Sequence, residues 1–145
     1  MRLGRIWLLG AVLSAHAAMA ADGAALFEQH CMACHQAQGQ GTVGLAPALK
    51  GEHWQRLGRE RGYLSHVLVH GLSGLIVVNG ERHISSMPAF GTQLDDDSLA
   101  ALASHVQASI QGRQDAPYQA AEIRAVREAG GSPPRTRERR IQALK

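Results

Sequence analysis

The chain contains two cysteines, three positions apart, and a histidine follows the second directly: Cys31-Met32-Ala33-Cys34-His35. On a helix, positions i, i+3 and i+4 share one face. Two thiols and an imidazole on one face can serve a single flat macrocycle. The sulfurs add to its two vinyl groups, and the imidazole beside them reaches the iron. This pattern is the attachment signature of c-type haem, and His is a common axial ligand to haem iron.

Other uses of the two cysteines are narrower fits. A structural zinc site takes four ligands, usually from two paired clusters, and the chain has no second Cys pair. A thioredoxin-like redox pair requires a βαβ pattern, whereas the flanks here read helical. A plain disulfide or a metal role stays open, since oxidising compartments favour disulfides. Haem attachment alone accounts for His35.

One protein ligand on the iron leaves a place for substrate or gas, whereas two make an electron carrier. Met87 is the candidate for the second, since Met is a frequent partner of His on haem iron. Pro88 pushes Met87 away from helical geometry toward an extended backbone. The thioether is then presented stiffly between two helices, 52 residues after His35. Met32 lies within the attachment segment and Met19 within a leader. The bland alternative for Met87 is a core-filling methionine. His66, His70, His83 and His105 are rival ligands, with His83, four residues before Met87, the first to check.

These residues need elements to position them. Asp22 is placed to cap a helix through Ala24, Leu26, Phe27 and His30 into the haem motif. Residues 36–51 hold Gly39, Gly41, Gly44, Gly51 and Pro47, and read as a loop wrapping the proximal side of the haem. A short helix over 52–57 carries Trp54. A longer one is marked by Leu64, Val67 and Leu68, with Gly71 as its C-terminal cap. Residues 72–80 are apolar and β-branched before Asn79-Gly80. That dipeptide is a hairpin signal, but the flanks alternate poorly, so a turn alone is expected. Asp95 is placed to cap a helix in which Leu99, Leu102, Ala103, Val106 and Ile110 repeat, and Asp95, Asp96 and Asp97 suit the positive end of its dipole. A further amphipathic helix is expected over 119–129, broken by Gly130-Gly131-Ser132-Pro133-Pro134. Residues 135–145 are basic and expected to be loosely ordered.

The division is 1–20 leader, 21–112 haem domain, and 113–145 basic extension. Arg2 and Arg5, an apolar run from Ile6 to Leu13, and Ala18-Met19-Ala20 form a secretory signal peptide, expected to be cleaved before Ala21. The run is well short of the ~20 residues of a membrane span, the alternative being an uncleaved anchor. Export agrees with c-type haem, which is attached outside the cytoplasm. Residues 21–112 carry five basic and eight acidic side chains, net −3; residues 113–145 carry eight basic and four acidic, net +4. The pI of about 9.3 therefore describes the tail. With scarce aromatics and export, it gives little support to nucleic-acid binding. The charge contrast points to residues 119–145 docking on an acidic partner subunit or anionic lipid.

Cys31–His35 together with Met87-Pro88-Ala89-Phe90 resembles class I (mono-haem) cytochrome c, over about residues 22–111. The stretch 68–74 with Val78-Asn79-Gly80 resembles small periplasmic cytochromes c that accompany dehydrogenases. The resemblance implies an all-α fold of four to five helices around one covalent haem c, with N- and C-terminal helices crossing. It implies His35 and Met87 as axial ligands, and the Pro47 carbonyl accepting a hydrogen bond from the other nitrogen of His35. Trp54 is a weaker candidate for contact with a haem propionate. Two positions depart from the family: His105 stands where the last helix usually has an aromatic partner for Phe27, and His83 where a tyrosine often precedes the methionine. The implied role is a periplasmic one-electron carrier, not an enzyme. It would take electrons from a dehydrogenase and pass them to an oxidase or other cytochrome, toward the respiratory chain. The alternative is a haem enzyme or gas-binding protein with an open or labile sixth iron site.

Overall fold

Asp22 starts the first element: its side chain accepts from the backbone N–H groups of Ala24 and Ala25 and caps α1 (Gly23–His30). The coordinates, a computed structural model, describe residues 21–145, so the expected leader lies outside the described residues. After Cys31, at φ −122°, one further turn forms α2 (Met32–His35). Helices α3 (Glu52–Leu57) and α4 (Gly62–His70) follow the loop, and α4 ends on Gly71 at φ 75°. A Cβ there would stand 2.6 Å from the Met87 carbonyl oxygen. Only glycine allows the end of α4 to meet the Met87 backbone so closely.

From Leu72 the structure departs from an all-α fold. Strands β1 (Leu72–Val78) and β2 (Glu81–Met87) pair antiparallel, with Leu72 opposite Met87 and Val78 opposite Glu81. Asn79 (φ 52°) and Gly80 (φ 81°) both take the left-handed conformation that a tight hairpin turn requires. The expectation of a turn alone is therefore corrected. The strand alternation is real but chemically disguised: Ile76 and Val78 are buried and Val77 exposed, while in β2 His83 is buried and Ile84 is 75% exposed. Met87 consequently ends a strand rather than standing between two helices.

Asp95 caps α5 (Asp96–His105) by accepting from Ser98 N at 2.8 Å, and a π-helical turn continues it over Val106–Ile110. Helix α1 packs on α5, as expected of the terminal helices of the haem domain. At Gly23 a Cβ would fall 2.3 Å from the Ala101 carbonyl oxygen, so the two backbones nearly touch. Phe27 faces the His105 ring at 5.5 Å between centroids. Leu57, Leu99, Leu102, Ala103 and Ile123 are fully buried and tie these helices into one core.

Helix α6 (Ala120–Ala129) starts in a capping box between Gln119 and Glu122. The loosely ordered end expected next is a helix, α7 (Pro133–Ala143), with Pro at its first turn. It lies on α4 and β1, burying Thr136 and Arg140. Its basic residues have internal work: Arg137 Nε donates to Leu75 O at 3.0 Å and Arg140 Nη2 to Val77 O at 3.3 Å. Two side chains three apart on one helix thus cover alternate carbonyls on the free edge of β1. A two-stranded hairpin is marginal by itself, and α7 supplies the surface that it needs.

Candidate haem site

The attachment residues, the loop after them, the hairpin and Arg140 of α7 enclose one cavity of about 260 Å³. Cys31, Cys34, His35, Pro47 and Met87 all line it, so the structure brings together every residue expected at the site. Both thiols are free, Cys31 buried and Cys34 exposed. Burial, followed by the proximity of Cys34, pushes the Cys31 thiol up to about 11. It therefore stands as a thiol rather than as the thiolate that metals prefer. No cage of three or more His, Cys, Asp or Glu side chains gathers among the described residues.

His35 is buried, and its Nδ1 donates to the Pro47 carbonyl at 2.9 Å. That bond assigns the ring proton to Nδ1 and leaves the Nε2 lone pair available to a metal. Burial lowers the basicity of the ring, and the Pro47 bond partly offsets this. The loop holds Pro47 in place through short local contacts. Gly41 N donates to His35 O, Thr42 N to Ala46 O, and Thr42 Oγ1 to Cys34 O. A Cβ on Gly41, at φ 80°, would meet Ala46, Pro47 and Ala48 backbone atoms at 2.7 Å. The expected wrapping of the proximal side is thus built from glycine turns and a threonine clamp.

Met87 is carried on the other wall. Phe90 N donates to Leu68 O at 2.9 Å and Gly91 N to Val69 O at 3.2 Å, anchoring the segment after it to the end of α4. The rival histidines are elsewhere, since none of His66, His70, His83 and His105 lines the cavity. His70 Nε2 lies 3.1 Å from Val126 O, and the His66 ring faces His70. His83 is buried in β2, its Nε2 3.8 Å from Glu81. Trp54 lines the cavity, but its Nε1 donates to Ala48 O at 3.3 Å, so its donor is used on the protein.

Several lining residues were not foreseen. His30 and His53 border the cavity, the latter with Nε2 3.2 Å from Ala48 O. Alternate residues of β1 (Leu72, Gly74, Ile76 and Val78) form one wall. Their period of two was present in the sequence, but Gly74 interrupts its apolar signal. Arg140 had no local signal at all, because only the fold of α7 places it here.

The residues suit a covalent haem: paired free thiols, an imidazole held in one tautomer, a thioether, and apolar walls. The family model for cytochrome c oxidase, cbb3-type, subunit III matches residues 18–106. Cytochrome c-552 of Thermus thermophilus is 42% identical over 88 residues, covering 59% of this chain and 66% of the relative. A second cytochrome c-552, from a named strain of the same organism, matches at the same identity over 58% of its length. The chain thus spans less than two thirds of these two relatives. Cytochrome c6 of Diacronema lutheri is 31% identical over 86 residues, covering 59% of this chain and 90% of the relative. The chain belongs to the mono-haem class I cytochromes c, the family whose members carry one covalently bound haem c with its iron.

Proposed function

We propose that the protein is a periplasmic one-electron carrier, receiving electrons from a dehydrogenase and passing them toward the respiratory chain. The observation that carries this reading is the convergence of His35, its Nδ1 committed to Pro47, and Met87 on one apolar cavity. Haem c, when bound, supplies a one-electron couple at its iron. Cys31 and Cys34 would anchor the group, each free thiol becoming a thioether with sulfur on one vinyl carbon and hydrogen on the other. His35 Nε2 and the Met87 thioether are the groups that would hold the iron, which would leave no place on it for a substrate. A thioether ligand and apolar walls favour the reduced state.

Electron transfer then needs only brief contact at the surface. Val43 and Leu45, 86% and 49% exposed, stand on the loop after the attachment segment and offer apolar contact to a redox partner. No helix among the described residues is long and apolar enough to cross a membrane. Charge in the tail is largely used internally: Arg113, Arg124, Arg127, Arg137, Arg139 and Arg140 bind groups among the described residues.

The test is an absorption spectrum of protein exported from a host able to attach c-type haem. Haem that resists acid-acetone extraction, with the far-red band of ferric iron bound to methionine sulfur, is the expected result. Extractable haem would return Cys31 and Cys34 to a disulfide or metal role. Covalent haem without that band, with rapid binding of carbon monoxide or cyanide, would make the protein a ligand binder or enzyme.

A further inference from the structure

Arg140 is the one buried arginine among the described residues, 4% exposed, and it lines the haem cavity. Arginines at 61, 113, 124, 127 and 139 each pair with a carboxylate. Arg140 has no carboxylate partner among the described residues. Its contacts are neutral: the Val77 carbonyl at 3.3 Å and the Tyr63 hydroxyl. A guanidinium taken out of water without a counter-charge costs several kcal/mol, so a fold that buries one against a cavity is built for an anion there.

The haem itself brings the matching anions. Its propionates leave the porphyrin from the edge remote from the vinyl groups, so their partners must come from lining residues outside Cys31–His35. Among those, Arg140 is the only arginine or lysine. His53 does not compete, because burial and then the charge of Arg140 keep its imidazole toward the neutral form. Trp54 has spent its donor on Ala48.

Given haem c in this cavity, we infer that α7 completes the site: Arg140 binds a haem propionate and holds it ionised, and so sets part of the reduction potential. The family match ends at residue 106, so this contact belongs to the extension and not to the shared domain. A fixed positive charge beside the macrocycle favours the iron state with one more electron. It also keeps the propionate from taking up a proton near neutral pH. The Val77 carbonyl and the Tyr63 hydroxyl position the Arg140 guanidinium, and Arg140 then tunes the haem through the propionate without being a ligand to iron.

The experiment is redox titration of the holoprotein and its Arg140→Gln and Arg140→Lys variants across acidic to neutral pH. Acid-acetone extraction first establishes covalent haem in each. In R140Q the midpoint potential should fall and acquire a pH dependence as the released propionate titrates. R140K, which keeps the charge, should stay near the parent in both. A potential and pH profile in R140Q equal to the parent, with α7 still helical, would overturn the inference and leave Arg140 a clamp on Val77. Should R140Q not fold, infrared redox-difference spectra of the parent with ¹³C-labelled propionates decide. Carboxylate bands alone support the pairing, and a protonated acid band at neutral pH overturns it. A parent without covalent haem would instead overturn the carrier reading itself, a separate result.

Discussion

The two walls of the haem cavity differ in how they are made. One is local: Cys31 to His35 is a single turn of helix, and the loop that aims His35 closes within residues 36–49. The other is assembled from afar. Met87 is held against the end of α4, β1 covers one side, and Arg140 arrives from α7, 53 positions after Met87. The first wall supplies chemistry through fixed residue types at fixed spacing. The second supplies apolar surroundings and carries Met87 and Arg140, the proposed sixth ligand and counter-charge, whose replacement should leave the cofactor attached. The family match covers the first wall and most of the second, and stops short of α7.

This contrast can be broken most severely at the local wall. Replacing Cys31 and Cys34 together by alanine should abolish covalent haem, read as full extraction into acid-acetone, while the helices persist in circular dichroism. Retained haem in the double variant would show that the attachment wall is not Cys31–His35. Next in size is Met87→Ala, which should keep the haem but lose the far-red band and bind cyanide quickly. A variant indistinguishable from the parent would move the sixth ligand elsewhere.

A smaller effect is expected from removing residues 130–145. The deletion removes the two arginine–carbonyl bonds on the β1 edge and uncovers apolar side chains of α4, costing about 2–4 kcal/mol at typical values for such bonds and contacts. Thermal unfolding should register the loss. Hydrogen exchange should quicken across residues 72–78, with α1 and α5 unchanged. Uniform loosening would instead make α7 part of a single cooperative core.

The smallest effect concerns pH. His66 is held down to about 4 by burial first, then by Arg139 of α7 and by His70. The folded ring stays neutral while the unfolded one takes a proton near its ordinary value of about 6.5. The stability this represents is therefore fully present above about 6.5 and is lost as pH falls toward 4. His66→Asn should flatten the fall of Tm over that window. Deleting α7 should flatten it in part, since one of the three causes leaves with Arg139.

Much of this was legible in the residues. Cys-x-x-Cys-His, Met-Pro, and the caps at Asp22 and Asp95 act over a few positions, so spacing reveals them. Helices α1, α5 and α6 carry apolar repeats that need no tertiary knowledge. The hairpin was missed because its strands read poorly as alternating: His83 goes inward, Ile84 outward, and Gly74 occupies an inward place. Those choices make sense only once the haem cavity lies on one face of the hairpin, solvent on the other, and α7 along its edge. Residues 135–145 looked like a solvated basic tail because mean composition cannot show that Arg137 and Arg140 find backbone carbonyls 62 and 63 positions away.

By itself, then, the amino-acid sequence pointed to the cofactor and to the residues proposed to anchor and ligate it, because bond-forming chemistry needs particular atoms at a particular short spacing. Tertiary structure decided that Met87 faces the cavity and none of the four rival histidines lines it, and it set the tautomer of His35 and the burial of a lone guanidinium beside the haem site. Those depend on the packing of segments far apart in the chain, where burial and long-range hydrogen bonds outweigh what neighbouring residues prefer.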